Sequence, residues 1–197
     1  MVQAQAAEVE CYPEGCYRWA KEMRDLAVLC TGLATGRRRS GLKSLTVADV
    51  DFDRSEIRCN REKGRLGRVL PVAGWALMVL RHYIERARPI LNEWHDNERL
   101  FVGTNGPHLG HESFRQMLKA IHERTVEANP DLTEFAEKTI TPHSLRVTFA
   151  VMLFRGGCNI RSVNELMLHK NLGTTARYTP VPVEDLGRVC RAAHPRG

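Results

Sequence analysis

Residues 141–157 read TPHSLRVTFAVMLFRGG and carry the start signal, the apolar face and the stop signal of one helix. Thr141 is a favourable N-cap, Pro142 is a favourable first helical residue, and two glycines follow the last apolar positions. The apolar residues at helical spacing predict a stripe that packs inward: Leu145, Phe149, Met152 and Leu153. His143 and Arg146 lie on the adjoining edge near the helix start, where unpaired N–H groups favour an anion. They could bind one phosphate, although HxxR alone is more often a capping histidine beside a surface arginine.

Residues 166–181 read LMLHKNLGTTARYTPV and place a tyrosine nine positions after a histidine. His169 ends one apolar helix, where it could cap carbonyl groups or donate to a ligand. The Gly-Thr-Thr sequence then starts a short segment that Pro180 and Pro182 end, so Tyr178 is poorly placed to be buried as a core ring. A single tyrosine is nevertheless more often a packing residue than a nucleophile.

The rest of the chain predicts a mainly α protein of the α+β class. Apolar residues at helical spacing predict helices at 19–34, 74–88, 112–129, 142–154, 159–169, 174–178 and 183–193, the first of which ends at Gly36. Short β-rich runs separated by turn residues predict a small three-stranded antiparallel sheet between 47 and 72. We expect residues 1–19 to be an N-terminal tail or linker remnant before a single domain at 20–197.

Composition excludes several classes of protein. No apolar run approaches the roughly 18 residues that span a bilayer, and the N-terminus lacks a signal peptide, so we expect a soluble cytoplasmic protein that does not contact membranes. The six cysteines form no CxxC pair, which argues against a zinc ribbon or a disulfide framework. His108 and His111 lie in a Gly/Pro turn without a nearby carboxylate in a ligand pattern, so a surface loop is the better interpretation than a metal site.

The positive charge is concentrated in two clusters. The net charge is +6, and the clusters lie at 36–43 and 54–68. Such clusters suit a polyanion, because neutralising phosphates releases condensed counterions. The candidate DNA-binding residues within them are Arg37, Arg39, Lys43, Arg61, Arg65 and Arg68. On charge alone, a solvated basic face is an equally good interpretation.

Together, HSLRVTFA and LMLHKNLGTTARYTPV resemble the C-terminal signature of tyrosine recombinases, the phage integrase family, which is close to HxLRHTFATxL…LLGHxxxxTTxxYTHV. Upstream, RDLAVLCTGLATGRRRSGLKSLTVADVDF resembles the family's RDxALLxLLxxTGLRxSELxxLxWxDVDL, and REKGRLGRVLPV resembles its GKGxKxRxVPL hairpin. The resemblance covers about residues 20–195 and implies the family's DNA breaking-rejoining catalytic domain. Since few residues precede it, we expect the usual N-terminal core-binding domain to be absent.

The resemblance implies six catalytic residues: Arg38, Lys63, His143, Arg146, His169 and Tyr178. Tyr178 would attack the scissile phosphorus to give a 3′-phosphotyrosyl link, with His143 as the general base. The two arginines and His169 would bind the nonbridging oxygens, and Lys63 would protonate the departing 5′ oxygen. The link would store the bond energy, so religation to another strand would need no ATP, metal or other cofactor.

This sequence differs from the family pattern at four positions: Gly41 replaces an acidic residue, Val147 a histidine, Leu168 a glycine and Pro180 a histidine. The six catalytic residue types are all retained.

The resemblance implies double-stranded DNA as the partner, and a location in the cytoplasm at the nucleoid. It also implies that the protein self-associates into tetramers on synapsed DNA sites, and that it could be a monomer without DNA. The helix at 183–193 could dock on a neighbour or fold back on its own domain. Two alternatives stay open, a DNA-binding module without catalysis and a type IB topoisomerase-like nicking-closing enzyme.

Overall fold

The computed structural model describes residues 1–59, 68–93, 95–104 and 106–167. Its helices are α1 (Val2–Glu10), α2 (Tyr17–Thr35), α3 (Arg39–Ser44), α4 (Gly74–His82), α5 (Arg88–Asn92), α6 (His111–Glu127), α7 (Thr133–Ala136), α8 (Pro142–Arg155) and α9 (Ile160–Leu166). The strands β1 (Val50–Asp51), β2 (Glu56–Cys59) and β3 (Arg68–Pro71) lie between α3 and α4. The protein is therefore mainly helical with one small sheet, as the sequence predicted.

Helix α2 lies at the centre of the fold and packs against α1, α4, α5 and α8. Its residues are buried around most of its circumference, which is typical of a helix enclosed by other helices. The Sγ of Cys16 accepts a hydrogen bond from the Trp19 N–H at 3.3 Å and so caps the helix start. Gly36 ends the helix in the left-handed conformation with φ of 58°. The predicted helix and its stop at Gly36 are confirmed.

The three strands form an antiparallel sheet in the order β1-β2-β3. Ile57 pairs with Leu70 across β2 and β3, and both side chains are buried in the core. The predicted meander is therefore confirmed. The segment between β2 and β3, which carries Arg61, Lys63 and Arg65, lies outside the described residues.

The helix predicted at 74–88 extends to Asn92 and contains a π-helical turn, Tyr83–Ala87, between α4 and α5. Pro89 lies at the start of α5. Proline lacks an N–H and its ring clashes with the carbonyl four residues earlier, so a wider turn before it lets the helix continue. Sequence periodicity predicted the helix but not this local change of pitch.

Within the stretch expected to be a tail or linker remnant, residues 2–10 form α1, which packs on α2 and α6. The fully buried amide of Gln5 donates to the backbone oxygen of Glu22 at 3.0 Å and to its carboxylate at 3.1 Å. Arg124 of α6 donates to Oε1 of Gln5 at 2.7 Å and to the Glu22 carboxylate at 3.1 Å. A polar residue thus anchors α1, which is why apolar periodicity did not reveal it. The domain boundary at residue 19 stays a prediction.

Helix α8 confirms the prediction at 142–154, and it ends at Gly156. Helix α9 confirms the first part of the prediction at 159–169. The helices predicted at 174–178 and 183–193 lie outside the described residues. In the part of the chain that the structure describes, no helix is long and apolar enough to cross a membrane.

Candidate active site

The site is built where the end of α2 meets α8. A Cβ at Gly36 would lie 2.3 Å from Cδ1 of Phe149, so the phenyl ring rests directly on the glycine. Only glycine combines this close approach with the left-handed conformation that ends the helix. The contact holds the arginine-rich turn after α2 against the first half of α8.

Arg146 is the buried side chain that links these elements, and it is only 5% exposed. Its Nη1 donates to the carbonyl oxygen of Gly36 at 2.6 Å. Its Nη2 donates to the carbonyl oxygen of Met167, the residue after α9. Both acceptors lie at helix C-termini, where carbonyl groups lack partners within the helix and carry negative potential. The guanidinium is therefore fixed between the ends of α2 and α9.

Two other arginines, Arg37 and Arg38, lie close enough to Arg146 for their positive charges to affect it. Burial lowers the pKa of Arg146 to about 10, and the charges of Arg38 and Arg37 contribute to that lowering. Within the described ranges, no aspartate or glutamate forms an ion pair with any of these three arginines. Neighbouring cations without a carboxylate between them create a potential that favours an anion such as phosphate.

Arg38 and His143 are exposed at the edge of this buried centre. Arg38 is the N-cap residue of α3. His143 lies in the first turn of α8, one position before Ser144, whose N–H donates to Oγ1 of Thr141 at 3.2 Å. The predicted N-cap at Thr141 is thereby confirmed. Because residues three apart on a helix are neighbours, His143 lies beside Arg146 and close to solvent.

The structure thus brings together three of the six predicted catalytic residues, Arg38, His143 and Arg146. The other three, Lys63, His169 and Tyr178, lie outside the described residues. The acceptors of Arg146 were not anticipated from sequence. Their sequence signal is a glycine that ends an apolar helix directly before a run of arginines.

The candidate DNA-binding residues divide into three groups. Lys43 is exposed on α3 and Arg39 is half-buried there, as a contact surface requires. Arg37 is only 6% exposed and belongs to the buried centre instead of the exposed basic face. Arg68 begins β3, whereas Arg61 and Arg65 lie outside the described residues.

The exposed basic surface around Lys43 includes Arg99, which was not among the predicted DNA-binding residues. Partial desolvation lowers the pKa of His108, and the nearby positive charges of Lys43 and Arg99 lower it further. His111, the second histidine of HLGH, begins α6. Among the described residues, no group of three histidines, cysteines or carboxylates could hold a metal ion. Exposed Arg99 therefore extends the basic surface around Lys43, and the lowered pKa of His108 favours its neutral form.

The sequence model of the phage integrase family matches residues 8–184. The chain belongs to this family. A related phage integrase family protein, the tyrosine recombinase XerD of Corynebacterium glutamicum, is 32% identical over 188 residues, which is 95% of this chain and 58% of the relative. The tyrosine recombinase XerC of Roseiflexus castenholzii is 37% identical over 161 residues, or 81% of this chain and 48% of the relative. The chain thus spans about half the length of these curated relatives.

Solved structures of the phage integrase family share the fold. The crystal structure of XerA recombinase matches with a TM-score of 0.65 at 24% identity, over 86% of this chain and 55% of that one. The integrase of mycobacterium phage Brujita matches with a TM-score of 0.63 at 18% identity, over 97% of this chain and 56% of that one. Likeness at this level of identity establishes the fold, which is that of a tyrosine recombinase catalytic domain.

Proposed function

We propose that this chain is the catalytic domain of a site-specific DNA recombinase that uses Tyr178 as its nucleophile. The observation that carries the proposal is the hydrogen bond from Arg146 to the Gly36 carbonyl, beside Arg38 and His143. This bond joins residues more than 100 positions apart in the chain, and it supports a phosphate site at this point. The family membership reported above supports the same reaction class.

The arginines provide electrostatic stabilisation. A phosphodiester repels nucleophiles, and charge accumulates on its nonbridging oxygens as a fifth oxygen approaches phosphorus. A guanidinium stays protonated and presents planar N–H donors to two oxygens at once. Arg146 is pre-positioned by its two carbonyl acceptors, so little reorganisation is needed during the reaction. Exposed Arg38 is accessible to a phosphate arriving from solvent.

Proton transfers complete the reaction. A phenol with a reference pKa near 10 is a weak nucleophile at neutral pH, so Tyr178 needs a base. His143 is the proposed base, and it returns the proton when the strand is religated. Lys63 is the proposed acid for the 5′ oxygen, and His169 the proposed further donor to phosphate. For Lys63, His169 and Tyr178 these roles follow from the family pattern.

Double-stranded DNA is the proposed partner. Solved relatives include XerH bound to its difH substrate and the Tn1549 transposon integrase in complex with circular intermediate DNA. In this chain, exposed Lys43 and half-buried Arg39 on α3 provide phosphate contacts next to the catalytic centre. We further propose that synapsed DNA sites recruit four copies, that a copy without DNA is a monomer, and that the protein acts at the nucleoid.

The test uses a pool of nicked duplexes with randomised half-sites, incubated with the protein in EDTA. Cleavage next to the nick releases a short oligonucleotide, so religation fails and the covalent adduct accumulates on a denaturing gel. We expect an adduct with the wild-type chain and none with Tyr178→Phe. Tyr17→Phe is the matched control, because Tyr17 is 49% exposed at the start of α2.

Each result has one interpretation. DNA binding without an adduct, or an equal adduct with Tyr178→Phe, contradicts the assignment of the nucleophile and leaves a DNA-binding module. Sequencing the trapped strands gives the cleavage site, which then allows two intact duplexes to be tested together. Strand exchange between them supports a recombinase, whereas relaxation of supercoils alone identifies a topoisomerase-like enzyme.

A further inference from the structure

The side chain of Arg37 fills the space beside the Cα of Gly41. A Cβ at Gly41 would lie 2.6 Å from Nε of Arg37, 2.8 Å from its Nη2 and 2.9 Å from its Cζ. The guanidinium therefore occupies the volume that any side chain at position 41 would need. In the family pattern this position is acidic, whereas here glycine leaves the space to a cation.

The Arg37 side chain is buried without a complete set of partners. It is 6% exposed, and within the described residues its buried Nε has no hydrogen-bond acceptor. An unpartnered charged donor in the interior is strongly unfavourable, so a buried guanidinium with a free N–H is expected to meet an acceptor when the site is occupied. A residue that merely fills the space beside Gly41 would be more stable as an apolar side chain.

The neighbouring cations favour an anion as the acceptor of Arg37. Arg38 and Arg146 lie close enough for their charges to interact, and no carboxylate of the described part pairs with Arg37. Arg146 already donates to two backbone carbonyls, which leaves fewer of its five N–H groups for a ligand. A further guanidinium would supply additional N–H donors to the ligand.

We propose that Arg37 is a third phosphate-binding guanidinium of the active site, and that Gly41 provides the space in which it is held. The proposal rests on the proposed function, since the ligand is a phosphodiester of DNA. It makes the phosphate site of this chain a cluster of three arginines, at positions 37, 38 and 146.

The first test measures anion binding, which does not depend on cleavage. The probe is inorganic phosphate, compared with chloride at equal ionic strength, and the readout is the phosphate-dependent increase in Tm. We expect Arg37→Gln to lose most of this increase, and Arg37→Lys to retain part of it because the charge is kept. Arg86→Gln is the matched control, because Arg86 pairs with Glu14 near the opposite end of α2.

The second test uses Gly41→Ala to move the guanidinium without removing it. Alanine favours a helix, and the atoms it displaces belong to the far end of a flexible side chain, so the fold should be retained. We expect Gly41→Ala to slow formation of the covalent adduct about tenfold or more. Complete loss of one donor to a developing oxyanion costs roughly 100- to 1,000-fold, and here the guanidinium is displaced and not removed. In an Arg37→Ala background, the same substitution should have no further effect.

The results separate this proposal from the proposed function. Undiminished phosphate stabilisation in Arg37→Gln overturns the role of Arg37, and so does a full additional effect of Gly41→Ala when Arg37 is already alanine. If wild type forms no adduct but phosphate stabilises it through Arg37, the recombinase assignment fails and the three-arginine anion site stands. Far-UV circular dichroism establishes that each variant is folded, and if Arg37→Gln is unfolded, then Arg37→Lys and Gly41→Ala decide the question.

Discussion

Nη1 of Arg146 on α8 donates to the carbonyl oxygen of Gly36, which lies 110 positions earlier, at 2.6 Å. This bond joins the two parts of the sequence that supply the proposed phosphate-binding arginines. Phe149, one turn further along α8, packs on the same glycine. The geometry of the proposed site is therefore supported by a helix C-cap, and we expect changes at the cap to affect both folding and the proposed reaction.

Gly36→Ala should destabilise the protein by about 2–4 kcal/mol, since alanine is strained in the left-handed conformation and overpacks against Phe149. Urea unfolding measures the free energy, and the adduct assay should show slower cleavage because the acceptor of Arg146 moves. Gly15→Ala is the control for strain alone, since Gly15 has φ of 93° and nothing within 4 Å of an added Cβ. Equal losses in the two variants would contradict the packing argument.

Arg146→Lys should keep the fold and slow adduct formation by about 100-fold, because one ammonium cannot replace the planar donors that meet two carbonyls and a phosphate. A buried ammonium also loses its proton more readily than a guanidinium. The remaining activity should therefore decline at alkaline pH more than in the wild type. The rate of adduct formation is measured at several pH values, with exposed Arg155→Lys on the same helix as the control. A similar loss in both variants would refute a specific role for Arg146.

Arg124→Met should destabilise the protein by about 1–3 kcal/mol, because it removes a partner of the buried Glu22 carboxylate, which is 3% exposed. Burial opposes ionisation of Glu22, but hydrogen bonds from Lys21 and Gln5 outweigh it and hold its pKa below the usual value. The wild type should thus lose stability as pH falls below about 4.5, where the unfolded carboxyl takes up a proton.

Urea unfolding at neutral pH and in acid tests this prediction. The control is Arg115→Met on the same helix, since the Arg115 side chain is 61% exposed and pairs with an exposed glutamate. We expect no measurable change there, because exposed pairs are screened by solvent. If the two variants unfold alike, α1 is not held by the buried network.

The contribution of Tyr83 to stability should decrease as the pH rises from about 10 to about 12. Burial raises the pKa of Tyr83 to about 12 from 10.0, so the folded phenol keeps its proton where the unfolded phenol loses it. Stability from this group is complete below pH 10 and is lost as pH rises through the folded pKa. The difference in unfolding free energy between wild type and Tyr83→Phe should fall by about 2 kcal/mol over this range. A constant difference would show that the phenol ionises equally in both states.

The sequence specified most of the helices and the sheet because these depend on local patterns. A cap, an apolar stripe and two glycines define α8, and a glycine ends α2. Local patterns did not specify α1, whose anchor is the polar side chain of Gln5, or the π turn before Pro89. These features depend on partners far along the chain or on a local conflict between proline and the helix.

For the site, the sequence by itself determined the family, the fold class and the residue types that the chemistry needs. The order and spacing of these residue types are sufficient to identify the family, because its catalytic pattern can be read directly from the linear sequence. Only the tertiary structure decided that Arg146 is held by Gly36 and Met167, and that Arg37 is buried beside Gly41 instead of lying on the basic surface. Burial and hydrogen-bond partners depend on how separate helices pack, and linear spacing contains no record of that packing.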